Sequence, residues 1–487
     1  MKRFLSGLRG KTLYLFFIFF AALAQTSCHP KINRGGPPTN HAPNWLNWNY
    51  IFKEGTDSAT RQATIAQITS AISSVRSGNS TDTNNPNGGV PSARQIAIHP
   101  LTNYLSGYLR GVIRAKNGFS LNHTQVNFCS CHDTLLWNVT ADLNIGGSGQ
   151  SVPTPPPPPN PGASGGSVAV VDSNGSVSSP SSVPPLLTSG LVAFSGHPVV
   201  SGKVVLGIID SGIDSTLFDP SIFQSLFAPD GSGKINFVAG VPASAYQDND
   251  AVRHGSAVAA IALNAFYTQA QADGKQELPR LMVIRALDDK GMGSTLSVSC
   301  ALSYAIRHRV SLINASLGYW NAQNAVINYY LQQSAKYNIP VVAAAGNDPR
   351  DHTPNVCGVT IDGHNLLRPG NMFFPACQSV DPQYCIISVT GLSNPALPCR
   401  YQNFSSRYVS VGVVNKSNSC CGFSLPFINS GYMLDGSSFA TPVISGQLGY
   451  KIFKDGRRNN ATAYMQLLQP QKTAIGFVTW DGQYITY

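Results

Sequence analysis

Three observations predict an α/β fold with a mostly parallel central sheet for residues 188–487. Short apolar, β-rich runs stand at 204–209, 281–284, 311–314 and 340–344. Between and after them, 254–272, 294–309, 321–337 and 438–454 have helical character. That alternation is the pattern of a parallel sheet with helices on both faces. The third observation is chemical: Asp210 closes one apolar run and Asn347 follows another, and α/β sheets gather their active residues at strand C-termini.

The elements preceding this domain read differently. Lys2, Arg3, Arg9 and Lys11 form a basic stretch, 13–24 a short apolar one, and Ala22-Leu23-Ala24 a small-residue cleavage site. Residues 1–28 are therefore expected to be an export signal, with an apolar run too short for a spanning helix. Thr26-Ser27-Cys28 adds a second outcome, a lipid attached at Cys28 that anchors the exported protein to a membrane. Free secretion and anchoring stand as alternatives. Across 29–145 a small α+β unit is expected. Ala63, Ile65, Ile68, Ala71, Ile72 and Val75 recur at helical spacing after a Thr56-Asp57 cap signal. Val126, Phe128, Leu136, Trp137, Val139 and Leu143 suit short strands within 122–145. Residues 146–187 read as a linker, with five consecutive prolines from Pro155 to Pro159 in Gly- and Ser-rich surroundings.

Composition narrows the function classes. The 487 residues suffice for a large domain and a smaller unit. Only 11% are charged, against about 25% in average proteins. The formal net charge is +10, but Lys2, Arg3, Arg9, Lys11, Lys31 and Arg34 precede every acidic residue, and subtracting those six leaves +4. No dense Lys/Arg run with interleaved aromatics exists, which argues against a nucleic-acid partner. Ten cysteines suit an oxidising compartment. Cys357, Cys377, Cys385, Cys399, Cys420 and Cys421 crowd one region and are expected to form up to three bridges. Cys300, in an apolar helical stretch, is expected to be a buried thiol. Cys129-Ser130-Cys131-His132 lacks the second pair a zinc site needs, and no metal ligands are assigned.

Four motifs carry chemistry. Asp210, in Ile208-Ile209-Asp210-Ser211-Gly212, can accept a hydrogen bond from an imidazole and fix its tautomer, although a turn aspartate looks the same. His254 opens the small-residue run His254-Gly255-Ser256-Ala257 at a helix start, where the positive helix end favours a neutral base. Ser438, in Gly436-Ser437-Ser438-Phe439-Ala440-Thr441-Pro442, also opens a helix, and its amide there can face a developing oxyanion. A plain serine cap is the bland reading. Asn347 ends Ala343-Ala344-Ala345-Gly346-Asn347, where a turn asparagine would be ordinary.

Taken together, and in this order, the motifs resemble the subtilisin-like serine peptidases (subtilases) over roughly 190–475. Ala257 replaces that pattern's second histidine, and Ser437 its commoner threonine. The resemblance implies a three-layer subtilisin-like fold and an Asp210/His254/Ser438 triad. It also implies an oxyanion donor at Asn347 and hydrolysis of protein or peptide substrates through an acyl-enzyme, with no cofactor required. Ser316, Leu317 and Gly318 resemble one wall of the pocket for the residue before the scissile bond (P1). Ala344, Ala345 and Gly346 resemble the opposite wall, and Gly293 the other side of the cleft. These small walls imply room for a large apolar P1 side chain, narrowed by Tyr319. Residues 29–145 become a candidate prosegment, without the typical sequence of one. Asp248 and Asp250 could hold a structural calcium, though solvated loop carboxylates are the preferred reading. A peptidase dedicated to one partner and a non-catalytic binding module on the same fold are the alternatives to a general endopeptidase.

Overall fold

The computed structural model describes residues 187–487 apart from 197, 224–235, 239–244, 321–322, 348–364, 369–370, 416–421, 430–432 and 475–477. Before residue 187 it describes the backbone of five strands, Val177 and Ala59. The expected signal at 1–28, Cys28, the helix over 53–77 other than Ala59, and Pro155–Pro159 lie outside the described residues.

Four of the early strands form one antiparallel sheet. They are β1 (Trp45–Phe52), β2 (Ser120–Cys131), β3 (Thr134–Asn144) and β4 (Ala169–Ser173), in the order β2-β3-β1-β4. In register, Val126 pairs with Val139 and Phe128 with Trp137 across β2 and β3. Strand β4 and the next, β5 (Ser176–Ser178), fall inside the stretch that composition marks as linker. Averaged over 146–187, prolines and glycines hide the local Ala169-Val170-Val171 run, which has ordinary strand character.

The main sheet follows. It contains β6 (Val199–Asp210), β7 (Glu277–Arg285), β9 (Leu312–Ala315), β11 (Val341–Ala344), β13 (Ile386–Asn394), β15 (Val411–Val414), β16 (Gln471–Lys472) and β17 (Gln483–Thr486). Their order is β16-β17-β15-β13-β11-β9-β6-β7, with β14 (Leu397–Pro398) paired to β13. All neighbours from β7 to β17 along this path pair in parallel, and β16 and β14 are antiparallel additions. Three short strands lie outside this sheet: β8 (Met292–Ser294), β10 (Tyr319–Trp320) and β12 (Phe373–Phe374).

Helices cover both faces, which makes three layers. On one side lie α1 (His254–Ala272), α4 (Ser437–Asp455) and α5 (Ala461–Leu468); on the other lie α2 (Thr295–Arg307) and α3 (Ala325–Lys336). The strands divide their side chains accordingly, as a period of two requires. Leu206, Ile208, Leu281, Val283, Leu312 and Val342 pack toward α1 and α4. Ile209, Met282, Ile284, Ile313, Val341 and Ala343 pack toward α2 and α3. The starts of α3 and α2 are marked by polar caps: Asn324 accepts from Val326 N and Ile327 N, and Ser294 and Ser297 form a reciprocal capping box. Helix α1 carries alanine at six positions between 257 and 270 and is buried along most of its length. Small side chains let α4 lie directly on it. A Cβ added at Gly446 would stand 2.1 Å from the Ala262 carbonyl oxygen.

The cysteine expectation is corrected here. Cys377 and Cys385 are unbridged buried thiols, so three bridges among the six do not form. They belong to opposite faces of the sheet, Cys377 on the α2/α3 side and Cys385 on the α1/α4 side, which keeps them apart. Burial pushes both thiols up to about 12. Cys399 is disulfide-bonded, and Cys300 is a buried thiol.

Candidate active site

The site sits where β6, β9 and β11 end and α1 and α4 begin. Asp210 is the last residue of β6 and His254 the first of α1. His254 Nδ1 lies 2.7 Å from Asp210 Oδ1, both side chains fully buried. Because a carboxylate only accepts, Nδ1 carries the hydrogen and Nε2 is left as acceptor. Two glycines permit this approach. Gly212 has φ +115°, and a Cβ at Gly255 would stand 2.3 Å from the Gly212 carbonyl oxygen.

Carboxylates surround the imidazole. Asp250 Oδ1 accepts from His254 N at 3.2 Å and from Val252 N at 3.0 Å. Asp248 Oδ2 accepts from Ser256 N and from the Ser256 hydroxyl, at 2.9 and 2.7 Å. Asp248 Oδ1 accepts from Asp250 N and from the Ser211 hydroxyl, and that hydroxyl in turn accepts from Gly255 N. Thus one buried carboxylate ties the turn after Asp210 to the first turn of α1. Asp248 and Asp250 are only 2% and 4% exposed, which corrects the solvated-loop reading. Their bonded oxygens face N–H and O–H donors, the surroundings of a structural carboxylate. Among the described residues no group of three or more His, Cys, Asp or Glu could hold a metal ion. Burial pushes the Asp248 carboxyl up to about 6, against the Ser256 bonds that lower it.

For His254, burial lowers the pKa, but the charge and hydrogen bond of Asp210, helped by Asp250 and Asp248, outweigh it and raise it above the ordinary value. The sequence reading weighed only the helix N-terminus, which acts in the other direction. Three carboxylates brought from the loop before α1 and from β6 decide the sign.

Ser438 is the second residue of α4, entered through Gly436 at φ +136°. The ring of its neighbour Phe439 lies 5.0 Å from the His254 ring, centroid to centroid. The Ser438 hydroxyl donates to the Ser316 carbonyl at 3.2 Å, and the Ser316 hydroxyl donates to the Ser438 carbonyl at 2.7 Å. His254 Nε2 has no hydrogen-bond partner in this state. The structure therefore brings Asp210 and His254 into direct contact, with Ser438 on the adjoining turn and its hydroxyl turned toward Ser316. Behind Ser316 runs a buried polar chain: Asn314 Nδ2 donates to the Ser316 hydroxyl, and the Ser445 hydroxyl donates to Asn314 Oδ1. Asn347 follows β11 and is 7% exposed; its Oδ1 accepts from Ser437 N at 3.0 Å, and the Ser437 hydroxyl accepts from Gly346 N at 3.0 Å. Asn347 is thereby pinned to the helix that carries Ser438.

The matched stretch begins in β6 and ends in α5: the family model "Peptidase_S8: Subtilase family" fits residues 201–462, more than half of the chain. The chain belongs to the subtilase family. Two curated relatives of this subtilase align over shorter stretches. It is 26% identical over 150 residues to the Minor extracellular protease Epr of Bacillus subtilis (strain 168), covering 31% of this chain and 21% of that one. It is 29% identical over 146 residues to the Thermophilic serine proteinase of Bacillus sp. (strain AK1), covering 29% and 33%. The alignments thus span about a fifth and a third of those relatives. A solved structure, that of the Prenylagaramide maturation protease PagA, is 17% identical with a TM-score of 0.34, covering 55% of this chain and 82% of that one.

Two of the three segments expected to line the cleft bond the start of the helix that carries Ser438: Ser316 bonds Ser438 and Gly346 N bonds the Ser437 hydroxyl. Ser316, Leu317 and Gly318 follow β9, and Ala345 and Gly346 follow Ala344, the last residue of β11. Gly293 lies in β8, which pairs antiparallel with β5: Ser176 faces Ser294, Val177 faces Gly293, and Ser178 faces Met292. Val177 is 1% exposed. An extended segment of this chain thus pairs with the strand that resembles the cleft edge. Sequence reasoning missed the buried roles of Asp248 and Ser316. The Asp248-Asn249-Asp250 spacing ahead of His254 was the available signal for the first; for the Ser316 hydroxyl no sequence signal exists.

Proposed function

We propose that this subtilase is an exported serine endopeptidase that cleaves peptide bonds through an acyl-enzyme. The observation that carries the reading is the fully buried 2.7 Å contact between Asp210 and His254 Nδ1, beside the turn that bears Ser438. Asp210 holds the imidazole with Nε2 as acceptor and stabilises the imidazolium once it forms. When an extended peptide enters, the Ser438 hydroxyl leaves the Ser316 carbonyl and gives its proton to His254 Nε2 as its oxygen attacks the scissile carbonyl. The negative oxygen that develops is stabilised by the Asn347 amide and the Ser438 backbone N–H. His254 then protonates the leaving amine, and water, activated by the same imidazole, releases the acyl group. The pairing of β5 along β8 supports an extended, strand-like substrate on that edge. Export rests on the basic and apolar stretches of 1–24 and on the similarity to the Minor extracellular protease Epr.

The test is Ser438→Ala beside wild type. A fluorophosphonate should label wild type alone, and peptide hydrolysis should vanish in a variant whose unfolding temperature is unchanged. Equal labelling of both proteins would overturn the assignment.

A further inference from the structure

Phe373 occupies the space between the two walls that flank Ser438. A Cβ built on Gly318 would stand 2.3 and 2.4 Å from Phe373 Cε1 and Cζ. One built on Gly346 would stand 2.8 and 2.9 Å from Phe373 Cδ1 and Cε1. The same phenyl ring therefore lies against both walls, and both are glycine where it touches them. With Ser316 bonded to Ser438 through two hydrogen bonds and Gly346 N bonded to the Ser437 hydroxyl, the gap between these walls adjoins the nucleophile. On the endopeptidase reading above, the residue whose carbonyl reaches Ser438 directs its side chain into this gap.

The ring is not free to leave. Phe373 is 3% exposed and lies in β12, which pairs with β10 so that Trp320 faces Phe373 and Tyr319 faces Phe374. Trp320 packs edge-on against it, with centroids 4.8 Å apart, and Tyr319 stacks on Phe374 at 5.8 Å. Its backbone N–H donates to the buried Cys377 sulfur at 3.4 Å. The pairing of β12 with β10 and the Cys377 bond hold the Phe373 backbone, and the Trp320 contact and near-complete burial hold its ring. Swinging it aside would empty a packed core site, at a cost comparable to removing the ring.

We propose that Phe373 forms the floor of the P1 pocket and makes it shallow, so that the substrate class is peptides cleaved after glycine, alanine or serine. This rests on the endopeptidase reading above and replaces the expectation of a large apolar P1 residue. Small walls create room only if nothing else fills it, and here a phenyl ring fills it. Discrimination in such pockets runs to about 10–200-fold per methylene that fits badly, so a phenylalanine or leucine side chain is excluded far more strongly than a serine hydroxyl.

The experiment is a series of otherwise identical peptides with Gly, Ala, Ser, Leu or Phe at P1, assayed with the full chain, wild type and Phe373→Gly. Fluorophosphonate labelling of each protein serves as a readout independent of P1. Wild type should cleave after Ala at least about 100-fold faster than after Phe, in kcat/KM. Phe373→Gly should shift the Phe-to-Ala ratio toward Phe by about 100-fold. Phe373→Leu, a smaller change in the same core site, should shift it in the same direction and keeps the test open if the glycine variant fails to fold. A labelled wild type that prefers Phe or Leu would overturn the shallow pocket and leave the endopeptidase reading intact. A wild type that is neither labelled nor able to cleave any peptide would overturn both.

Discussion

At the scale of single residues, catalytic chemistry turns on groups whose neighbours decide their state. Asn347 is held by its Oδ1 to Ser437 N, which fixes the amide beside the start of α4 before substrate arrives. Asn347→Ala should therefore lower kcat by roughly 10²–10³ with little change in KM, since the donor acts on charge present only in the transition state; that range comes from the oxyanion asparagine of a subtilisin. A change confined to KM would contradict the role. His254 supplies a pH prediction. Its pKa is raised because Asp210, Asp250 and Asp248 together outweigh burial, and only the neutral ring can act as base. On the acid side, kcat/KM should fall with a midpoint above the ordinary histidine value of about 6.5. The stability linkage has the opposite sense: a raised histidine pKa favours the fold most below the unfolded value and loses that contribution as pH rises through the folded one. A pH–rate profile with its midpoint at or below 6.5 would show that the carboxylates do not act on the ring as described. These residues were legible in the sequence because each sits in a short run of small residues at a strand or helix end. Phe373 was not, because nothing in Phe373-Phe374-Pro375 reveals which distant glycines its ring will touch.

At the scale of elements, β6, β7, β9 and β11 and helices α1 to α4 were legible because apolar runs of strand length and helical spacing mark them directly. Their partners across the fold were not. The cysteines show why: proximity in sequence suggested bridges, while the sheet sends Cys377 and Cys385 to opposite faces. Strands β4 and β5 were hidden by averaging over a Pro- and Gly-rich stretch. The contact between α1 and α4 gives the prediction at this scale. These helices carry His254 and Ser438 in their first turns, so their separation sets the distance from the proposed base to the proposed nucleophile. A Cβ at Gly446 would stand 2.1 Å from the Ala262 carbonyl oxygen and 2.7 Å from Ala265 Cβ. Backbone at that distance cannot yield as a flexible side chain would, so the helices must part. Gly446→Ala should cost about 1–3 kcal/mol, the usual range for overpacking, and lower kcat as the two helix starts move apart. Urea unfolding with an unchanged midpoint would show that the crossing is looser than this geometry requires.

At the scale of the whole molecule, the question is what the chain before residue 187 does to the catalytic part. Strand β5 runs antiparallel along Met292–Ser294, with Val177 opposite Gly293 and 1% exposed. On the proposed reading of Gly293 as a cleft-edge residue, a substrate that extends along the same edge competes with β5 for the same backbone groups. Because β5 is covalently attached, its effective concentration at that edge is on the order of millimolar, above most peptide substrate concentrations. Two cleavage points separate this effect from any role of the earlier sequence. A specific protease site between Ser164 and Gly166, cut after folding, leaves β5 attached to the C-terminal piece. One between Ser181 and Ser182 detaches it. All four proposed catalytic positions lie beyond both points. Cutting at 164–166 should leave peptide hydrolysis close to that of the uncut chain, whereas cutting at 181–182 and separating the pieces should raise kcat/KM, chiefly through a lower KM. Adding back the released N-terminal piece should inhibit competitively and weakly, since it must then bind without the tether. Equal activity after both cuts would show that β5 does not obstruct the cleft, and loss of activity at 181–182 would show that the working enzyme needs it in place.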